Sequence, residues 1–600
     1  MNKLSLQDLY GGADAAKTMY GYSSTNQTSK RTLETEDIAG CISLQPDQHS
    51  LSLFNTFEFD GTTGGQITVS NVSQGTNTVG YSAPQNRTVN YGTTFEFGAL
   101  AQQTVNGHDY RFLRWTDNAT GLNRTHTITS ALSLSSYYKG HLLSNVGTMS
   151  GANGQRKLTR DANGAYHLAY SSNGYVWYAS STDNGATWST EQQLRPYFPY
   201  AQTFPTIATH LNYVFVVWQE YEGVVNGMHQ YRIRGVWKSS EIPWHEITMQ
   251  GYTQEMIARF TSPTDPLPTL VAADNTSNEI NPWNPARPEL MCVWRNGDGL
   301  SSAIGYRNNI AEGDAEEEPL SEVYLWNPYV RFGHISGTTA TSKTPSLGTN
   351  HASRVGLVYE QENQIYSVPN GIYSMTNEGD GWSDANLISS ESQFDSHRDV
   401  STAFDATGRQ HVAWTAHDNW YEWPTVILHR SIEPDGYLSP LYEIYDDFAG
   451  CDPLLQSSVS AHSDGDGGVS LFWTDNSGCT GYTVFDNYSY DGVNFEGWKY
   501  SSFNDPVYTP ASASEVEPTD AAYVVRQFDT APYYLYFDKK DDTGPWLATH
   551  GKGEPQAISA VGRRVLIENR SDNARVAYNV RALALLEDGD STGTPMRFSS

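Results

Sequence analysis

Polar and aromatic side chains that could bind a sugar follow short apolar strands at several points in this 600-residue sequence. They are Glu220, Tyr221, Arg295 and Glu360. Carboxylate and guanidinium groups hydrogen-bond to polar ligand atoms, and an aromatic ring can stack on a sugar ring. Because binding residues are common on loops held by a rigid scaffold, we predict a glycan-binding rim formed by these side chains. Solvated loop tips are the alternative interpretation.

Motifs for other chemistry are absent from the sequence. It contains no glycine-rich phosphate loop, no HExxH zinc motif, no Cys-x-x-Cys pair and no Gly-x-Ser-x-Gly nucleophile turn. The segment 464–468, Asp-Gly-Asp-Gly-Gly, could contact calcium, but it lacks the further carboxylates of an EF-hand loop and suits a hairpin turn better. We therefore expect no metal and no cofactor.

Composition narrows the class of protein and its partners. The formal net charge is −30, which disfavours binding to nucleic acid and to anionic lipid. No stretch of about 18 apolar residues is present, so membrane insertion is not expected. Aromatic residues make up 12%, charged residues 17%, and there are 51 glycines, which together favour many short strands separated by turns. The sequence predicts an all-β protein.

One type of strand recurs between residues 142 and 502 and would position the candidate residues. Each copy is an apolar run that ends in an aromatic residue, and the six terminal residues are Tyr170, Trp218, Trp294, Tyr359, Trp414 and Trp473. A second strand candidate, often with a proline near its start, precedes the run. Radial packing of six such units protects sheet edges, so the pattern predicts a six-bladed β-propeller. Two β-sandwiches are the alternative.

The remaining segments are assigned by composition and alternation. Residues 1–50 are polar and are expected to form a poorly ordered leader or linker. Residues 51–141 alternate in short runs and predict a small β-sandwich-like module. Residues 503–600 begin with a proline-containing linker and are predicted to form a C-terminal β-sandwich.

A turn motif in the first repeat carries a family resemblance. Its defining residues are Ser181, Asp183, Gly185, Thr187 and Trp188. The aspartate can accept backbone hydrogen bonds, the glycine allows a positive φ, and the indole can cover the hairpin. Weaker copies keep Asn377, Gly379 and Trp382 in one repeat, and Asp491 with Phe495 in another. The motif resembles the Asp-box of the sialidase and neuraminidase superfamily, of the secreted bacterial multi-module type.

This resemblance implies a propeller. For the superfamily it also implies a site in which three arginines hold the substrate carboxylate, a Tyr–Glu pair acts as the nucleophile and an Asp protonates the leaving group. Arg156 takes the place of the first arginine, although the usual Ile-Pro does not follow it. Arg295 and Arg398 are candidates for the others, with surface ion pairing as the alternative for all three. The nucleophilic Tyr with its Glu, and the Asp that donates a proton, have no match in the sequence.

The incomplete catalytic set favours a binding or scaffold protein at the cell surface or outside the cell, with glycans or other surface proteins as partners. A sialidase-like glycoside hydrolase with a diverged pocket is the second hypothesis. A structural subunit of a surface assembly is the third.

Two cysteines flank the hairpin of the sixth repeat. Cys451 and Cys479 would lie at the same end of it, so we predict a disulfide between them. Cys292 lies within an apolar strand and is predicted to be a buried free thiol.

Overall fold

The structure is a computed structural model that describes residues 48–539 with short gaps. The gaps are 59–63, 75–78, 152–153, 197–198, 250–255, 275–287, 298, 310–321, 327–329, 333–340, 351–353, 363–369, 379–380, 390–393, 406, 419–424, 447–459, 464–467, 476–482, 490, 496–498, 502–506, 515–521 and 528–530. The chain divides into two compact units, Met1–Phe57 with Gly61–Lys139, and Glu58–Asp60 with Gly140–Ser600.

The first unit is a β module of two sheets. Its strands are β1 Gln48–Thr56, β2 Gln66–Asn71, β3 Val79–Ser82, β4 Gln85–Asn90, β5 Thr94–Ala99, β6 Gln102–Val105, β7 His108–Trp115, β8 Asn123–Thr127 and β9 Leu132–Gly140. One sheet has the order β4-β1-β9-β7-β6 and the other β3-β2-β5-β8. Alternating residues such as Leu53, Ile67 and Phe97 are fully buried, because successive side chains of a strand point to opposite faces.

The second unit contains the six four-stranded blades that the repeats predict, numbered here in chain order. Their strands are β11 Leu158–Arg160, β12 Tyr166–Ser172, β13 Tyr175–Ser181 and β14 Gln192–Gln193 in blade 1; β15 Ala201–His210, β16 Tyr213–Val225, β17 Met228–Lys238 and β18 His245–Glu246 in blade 2; β21 Thr269–Asp274, β22 Pro288–Asn296, β23 Gly299–Asn309 and β24 Glu322–Trp326 in blade 3; β26 Thr341–Thr349, β27 Val355–Glu362, β28 Gly371–Asn377 and β29 Asn386–Leu387 in blade 4; β30 Phe394–Phe404, β31 Gln410–Asp418, β32 Thr425–Ile432 and β33 Tyr442–Asp446 in blade 5; β34 Ser460–Ser463, β35 Val469–Asp475, β36 Thr483–Ser489 and β37 Lys499–Ser501 in blade 6. Three short strands extend blades 2 and 3: β20 Ala258–Ser262 pairs with β17, β19 Thr248–Met249 with β24, and β25 Val330–Phe332 with β23.

A further set of four strands stands beside these blades. It has the order β10-β40-β39-β38, in which β10 is Leu143–Ser144, β38 is Val507–Ser514, β39 is Ala522–Gln527 and β40 is Tyr533–Lys539. The innermost strands β11, β15, β21, β26, β30, β34 and β38 are neighbours in this order, and β38 pairs in parallel with β11. The ring is therefore closed, and the prediction of an all-β propeller is confirmed.

The C-terminal strands change the predicted domain boundary. Residues 503–600 were expected to form a separate β-sandwich, but the described strands β38 to β40 belong to the sheet that also contains blade 1. Strand β10 comes from the start of the unit and β40 from its described end, so their pairing joins both ends of the ring. This pairing, together with the β38–β11 pair, fastens the two ends of the ring by backbone hydrogen bonds. Residues 540–600 lie outside the described part of the chain.

The aromatic residues that end the second strand of each blade form the core between blades. All six are buried, and the four indoles Trp218, Trp294, Trp414 and Trp473 are 0% exposed. Side chains of neighbouring blades share one apolar cluster, as Val358 of blade 4 does with Val412 and Trp414 of blade 5. Burial of this apolar surface is the main favourable term in the stability of the ring.

The Asp-box of blade 1 adopts the turn that its residues predict. The Asp183 carboxylate accepts hydrogen bonds from the Thr187 amide at 2.9 Å, the Thr187 hydroxyl at 2.6 Å and the Ser181 hydroxyl at 2.7 Å. Gly185 has a φ of 85°, which favours glycine. The half-buried Trp188 packs edge-on against Phe537 at 5.5 Å between ring centroids. The box therefore fastens blade 1 to β40.

The weaker copies occupy equivalent turns in blades 4 and 6. Asn377 bridges to Trp382, whose indole nitrogen donates to the Ser302 hydroxyl of blade 3 at 3.3 Å. Asp491 accepts hydrogen bonds from the amides of the next residues, and Phe495 packs on His429 of blade 5 at 4.9 Å. Gly379 of the predicted motif lies outside the described residues. Each described copy thus contacts the preceding blade.

Replacing Asp183 by alanine is expected to destabilise the protein by about 1 kcal/mol, as loss of a capping side chain does. The amide and hydroxyl of Thr187 would lose their acceptor. Urea unfolding of the variant measures the effect, with alanine at the exposed neighbour Thr182 as the matched control. Equal unfolding midpoints for the two variants would show that the Asp-box does not fasten the blade.

Candidate functional site

A repeated backbone irregularity shapes one end of the ring. In four consecutive blades a non-glycine residue near the start of the innermost strand has a positive φ, and these residues are Phe204, Leu267, Thr344 and Asp399 with φ of 50°, 48°, 41° and 54°. Strands β15, β26 and β30 contain a register shift at this position. Such bulges redirect side chains and are enriched at functional sites, because surrounding structure must hold the strained backbone.

The bulges face residues 154–157, here called the central segment. Gln155 donates from Nε2 to the carbonyl oxygens of Phe204 at 3.1 Å and Pro268 at 2.8 Å, which belong to blades 2 and 3. The Gly154 carbonyl accepts a hydrogen bond from the Thr269 hydroxyl at 2.7 Å. One short stretch of chain therefore links the inner strands of several blades.

Arg156, predicted as a ligand-binding arginine, is part of this segment and is 1% exposed. Its guanidinium donates a hydrogen bond to the carbonyl oxygen of Thr402 on β30 of blade 5. The adjacent Lys157 is also buried, and burial lowers the pKa of its ammonium well below the ordinary value. The structure thus corrects the candidate role of Arg156: the guanidinium links blade 5 to the centre and is not open to a ligand.

Glu220 is likewise withdrawn from the predicted rim. It is 0% exposed, and its carboxylate lies 2.7 Å from Arg234 Nε and accepts a hydrogen bond from the Trp218 indole nitrogen at 3.2 Å. Burial raises the pKa of the Glu220 carboxyl, and the Arg234 guanidinium opposes that shift. Removing one partner of a buried pair leaves an uncompensated charge, so we assign Glu220 a structural role.

The other three charged candidates come together on blades 3, 4 and 5. Arg295 lies one residue before the end of β22, Glu360 lies near the end of β27, and Arg398 lies at the bulge of β30, where it pairs with Thr415. Glu360 interacts electrostatically with Arg398 and Asp399, and Arg295 interacts with Glu360. We call Arg295, Lys343, Glu360, Arg398 and Asp399 the strand-end cluster.

Glu360 is the centre of this cluster. It is 7% exposed, its Oε1 lies 3.8 Å from Lys343 Nζ, and its Oε2 accepts a hydrogen bond from the Thr344 hydroxyl at 3.4 Å. Burial raises the pKa of Glu360 to about 7, with Lys343 opposing the shift and the carboxylates of Glu362 and Asp399 adding to it. A large share of Glu360 is therefore protonated near neutral pH.

The flanking groups have shifted pKa values too. Burial raises the pKa of Asp399 to about 6, and Arg398 opposes that shift. Burial also lowers the pKa of Arg295, against the opposing attraction of Glu360, Glu362 and Asp265. Arg398 itself is exposed. Clustered groups with perturbed pKa values in one place are typical of functional sites.

The cluster continues toward blade 2 through Asp265. Gln219 Nε2 donates to Asp265 Oδ1 at 2.7 Å, and Gln219 Oε1 accepts the Leu267 amide at 3.0 Å. The Tyr231 hydroxyl hydrogen-bonds to the same Asp265 carboxylate. A row of polar groups thus runs from β17 of blade 2 to β30 of blade 5.

Sequence reasoning missed Asp265, Lys343 and Asp399. A signal for them was present, since three of the four positive-φ residues are followed by proline, at Pro205, Pro268 and Pro345. Lys343 and Asp265 lie one or two residues before such a positive-φ residue, and Asp399 lies in the bulge of β30. On the sequence alone, these prolines indicate only strand starts.

This arrangement can perform two kinds of chemistry. Exposed and half-buried guanidinium groups can hold a carboxylate, and a protonated carboxyl can donate a hydrogen bond or a proton. Among the described residues, no group of three or more His, Cys, Asp or Glu side chains could hold a metal ion. The described part of the chain also has no helix long and apolar enough to span a membrane.

The cysteine predictions have different outcomes. Cys292 is a buried free thiol, as predicted, and burial raises its pKa above the ordinary value. Cys451 and Cys479, the predicted disulfide, lie outside the described residues.

Comparison with known proteins finds similarity among solved structures only. No protein-family model and no curated protein matches the sequence. A Penicillium chrysogenum α-L-arabinanase complexed with arabinobiose is 14% identical, with 57% of this chain and 93% of that chain covered and a TM-score of 0.35. A Trypanosoma rangeli sialidase in complex with the inhibitor DANA is 10% identical, with 74% and 59% covered and a TM-score of 0.33. The six-bladed fucose-recognising lectin of Aleuria aurantia is 12% identical, with 57% and 92% covered and a TM-score of 0.30.

Proposed function

We propose that this chain is an extracellular or cell-surface protein that binds the acidic unit of a glycan at the strand-end cluster. The observation that supports the proposal is the convergence of Arg295, Lys343 and Arg398 on Glu360 and Asp399, two carboxyl groups whose pKa values burial raises; Lys343 Nζ lies 3.8 Å from Glu360 and also pairs with Glu362. The three cations come from three blades, so the ring holds them as a preformed group.

A ligand carboxylate suits this set of charges. Arg398 is exposed, and its guanidinium group is planar, so a carboxylate can accept two parallel hydrogen bonds from a group of this shape. Protonated Glu360 and Asp399 would not repel an anion and could donate hydrogen bonds to it or to sugar hydroxyls. An entering anion would also compensate the guanidinium charge of Arg295, which burial disfavours.

A glycan array tests the proposal. It should present glycans ending in uronic or sialic acid beside the same glycans with a neutral terminal sugar, and the probe is the labelled full-length chain. We expect retention on the acidic members and little on the neutral ones. Equal signal on both, or none on either, would contradict the proposal.

Glycoside hydrolysis is a second candidate function. A carboxyl with a pKa of about 7 is suited to act as a general acid, and Asp399, with a pKa of about 6, lies beside it. If the site is catalytic, fluorogenic uronides or sialosides should be cleaved, and Glu360→Gln should lower kcat by at least about 100-fold. Binding without turnover would leave the binding function alone.

The raised pKa of Glu360 predicts a pH-dependent contribution to stability. Because the folded protein favours the protonated carboxyl, this contribution is complete below about pH 4.5 and is lost as pH rises through about 7. The stability of the wild type relative to Glu360→Gln should fall by about 2 kcal/mol between pH 5 and pH 8. Urea unfolding at both pH values measures this difference. A difference that does not change with pH would contradict the raised pKa.

A further inference from the structure

An extended hairpin rises from the same end of the ring as the strand-end cluster. Strands β16 and β17 pair without interruption from Val214↔Lys238 to Tyr221↔Tyr231, and beyond a bulge they continue to Val225↔Met228. The tip is exposed, with Val224 at 59% and Met228 at 40%. The hairpin therefore extends six residues along β16 beyond Gln219, the residue that hydrogen-bonds to Asp265.

Three aromatic side chains lie along one side of this hairpin, and we call Tyr221, His229 and Tyr231 the aromatic row. The ring centroids of Tyr221 and Tyr231 are 5.5 Å apart, as are those of Tyr221 and His229. Tyr231 is buried, Tyr221 is half-buried and His229 is exposed. The row thus becomes steadily more open from the base of the hairpin toward its tip.

The base of the row is connected to the strand-end cluster. The Tyr231 hydroxyl hydrogen-bonds to the Asp265 carboxylate, and that carboxylate attracts the Arg295 guanidinium. On the opposite face of the hairpin, Glu222 forms ion pairs with Arg232 and Arg259. These ion pairs hold the hairpin in position. Its aromatic face then meets the strand-end cluster at the contact between Tyr231 and Asp265.

We propose that the aromatic row binds a second saccharide unit, so that the ligand is an acidic oligosaccharide longer than one residue. This inference rests on the proposed function. The apolar face of a sugar ring would stack on the half-buried ring of Tyr221, while the acidic unit occupies the strand-end cluster. A bulge lies between Tyr221 and Gly223, and bulges of this kind increase the local twist and redirect side chains.

Titration calorimetry on the full-length chain tests the inference with two ligand series. The first is galacturonic acid with its α1,4-linked dimer and trimer, and the second is N-acetylneuraminic acid with 3′-sialyllactose. In the series that binds, we expect affinity to rise about tenfold from the single unit to the longer ligand. Tyr221→Ala should remove most of this gain, so that it weakens binding of the longer ligand much more than binding of the single unit, whereas Tyr221→Phe should retain the gain.

The matched control is Tyr437→Ala. Tyr437 is 66% exposed and lies in the turn after β32 of blade 5, at the end of that blade opposite to the strand-end cluster. Its affinities should equal those of the wild type. If affinity does not increase with ligand length, or if the gain persists in Tyr221→Ala, the inference is overturned while the proposed function stands. If no acidic ligand binds the wild type, the proposed function is overturned and the inference with it.

Discussion

Replacing Gly154 by alanine is expected to destabilise the propeller by about 3 kcal/mol. A Cβ at this position would lie 1.9 Å from the carbonyl oxygen of Pro345 and 2.8 Å from its carbonyl carbon. Both are backbone atoms of an inner strand and cannot rotate away. The central segment would have to leave the inner strands, with loss of the hydrogen bonds of Gln155.

Gly151 offers a matched control three residues earlier in the chain. A Cβ there would lie 3.5 Å from atoms of Thr148, an ordinary contact, so Gly151→Ala should change stability by less than about 0.5 kcal/mol. Thermal unfolding followed by tryptophan fluorescence compares the two variants, because the buried indoles report on the blades. Equal unfolding temperatures would mean that the central segment does not pack against blade 4.

Replacing Arg398 by alanine is expected to lower affinity for an acidic glycan by about 10- to 100-fold. The estimate follows from the value of a hydrogen bond to a charged group, about 1.5 to 3 kcal/mol. Because Arg398 is exposed, its removal leaves no buried cavity, and the fold should be retained. Arg398→Lys keeps the positive charge but lacks the paired N–H donors, so its affinity should lie between those of the wild type and Arg398→Ala.

Arg87 provides the control for this prediction. It lies in the N-terminal module, where its guanidinium stacks over Tyr81 at 3.9 Å, and it has the same charge as Arg398. Calorimetry with the acidic ligand that the wild type binds should give wild-type affinity for Arg87→Ala. A similar loss in both variants would indicate nonspecific attraction to positive charge.

The strand pattern made much of the fold predictable. Runs that end in Trp218, Trp294, Trp414 and Trp473 recur because each blade needs a large apolar side chain at the same inner position, and all four indoles are buried. The Asp-box residues from Ser181 to Trp188 were predictable for a similar reason, since their bonds lie within a few residues of one another.

The last four-stranded set was not predictable in this way. Its second strand, Ala522–Gln527, ends in Arg-Gln and carries no terminal aromatic, so it does not match the repeat. Its outermost strand, Leu143–Ser144, has two residues and comes from more than 300 residues earlier in the chain. Alternation along a strand specifies which face is buried but does not specify a partner so far away.

The site was predictable in part. Arg295, Glu360 and Arg398 lie together because strand position determines which end of the ring a residue reaches. Arg156 lies just before the inner strand β11, and Glu220 lies just after the tryptophan that ends an apolar run. Arg156 nevertheless enters the centre of the ring, and Glu220 pairs with Arg234 inside blade 2. Which way a side chain turns at such a point depends on partners in other blades, and local sequence does not record them.

Coupling between Arg398 and the ligand carboxylate tests the proposed site most directly. The measurement compares trigalacturonic acid with its methyl ester, and 3′-sialyllactose with its methyl ester, on wild type and on Arg398→Ala by calorimetry. We expect esterification to weaken binding to the wild type at least tenfold and to weaken binding to Arg398→Ala several-fold less, because only Arg295 and Lys343 then attract the carboxylate. The same loss on esterification in both proteins would show that the acidic group binds elsewhere, and would contradict the site proposed here.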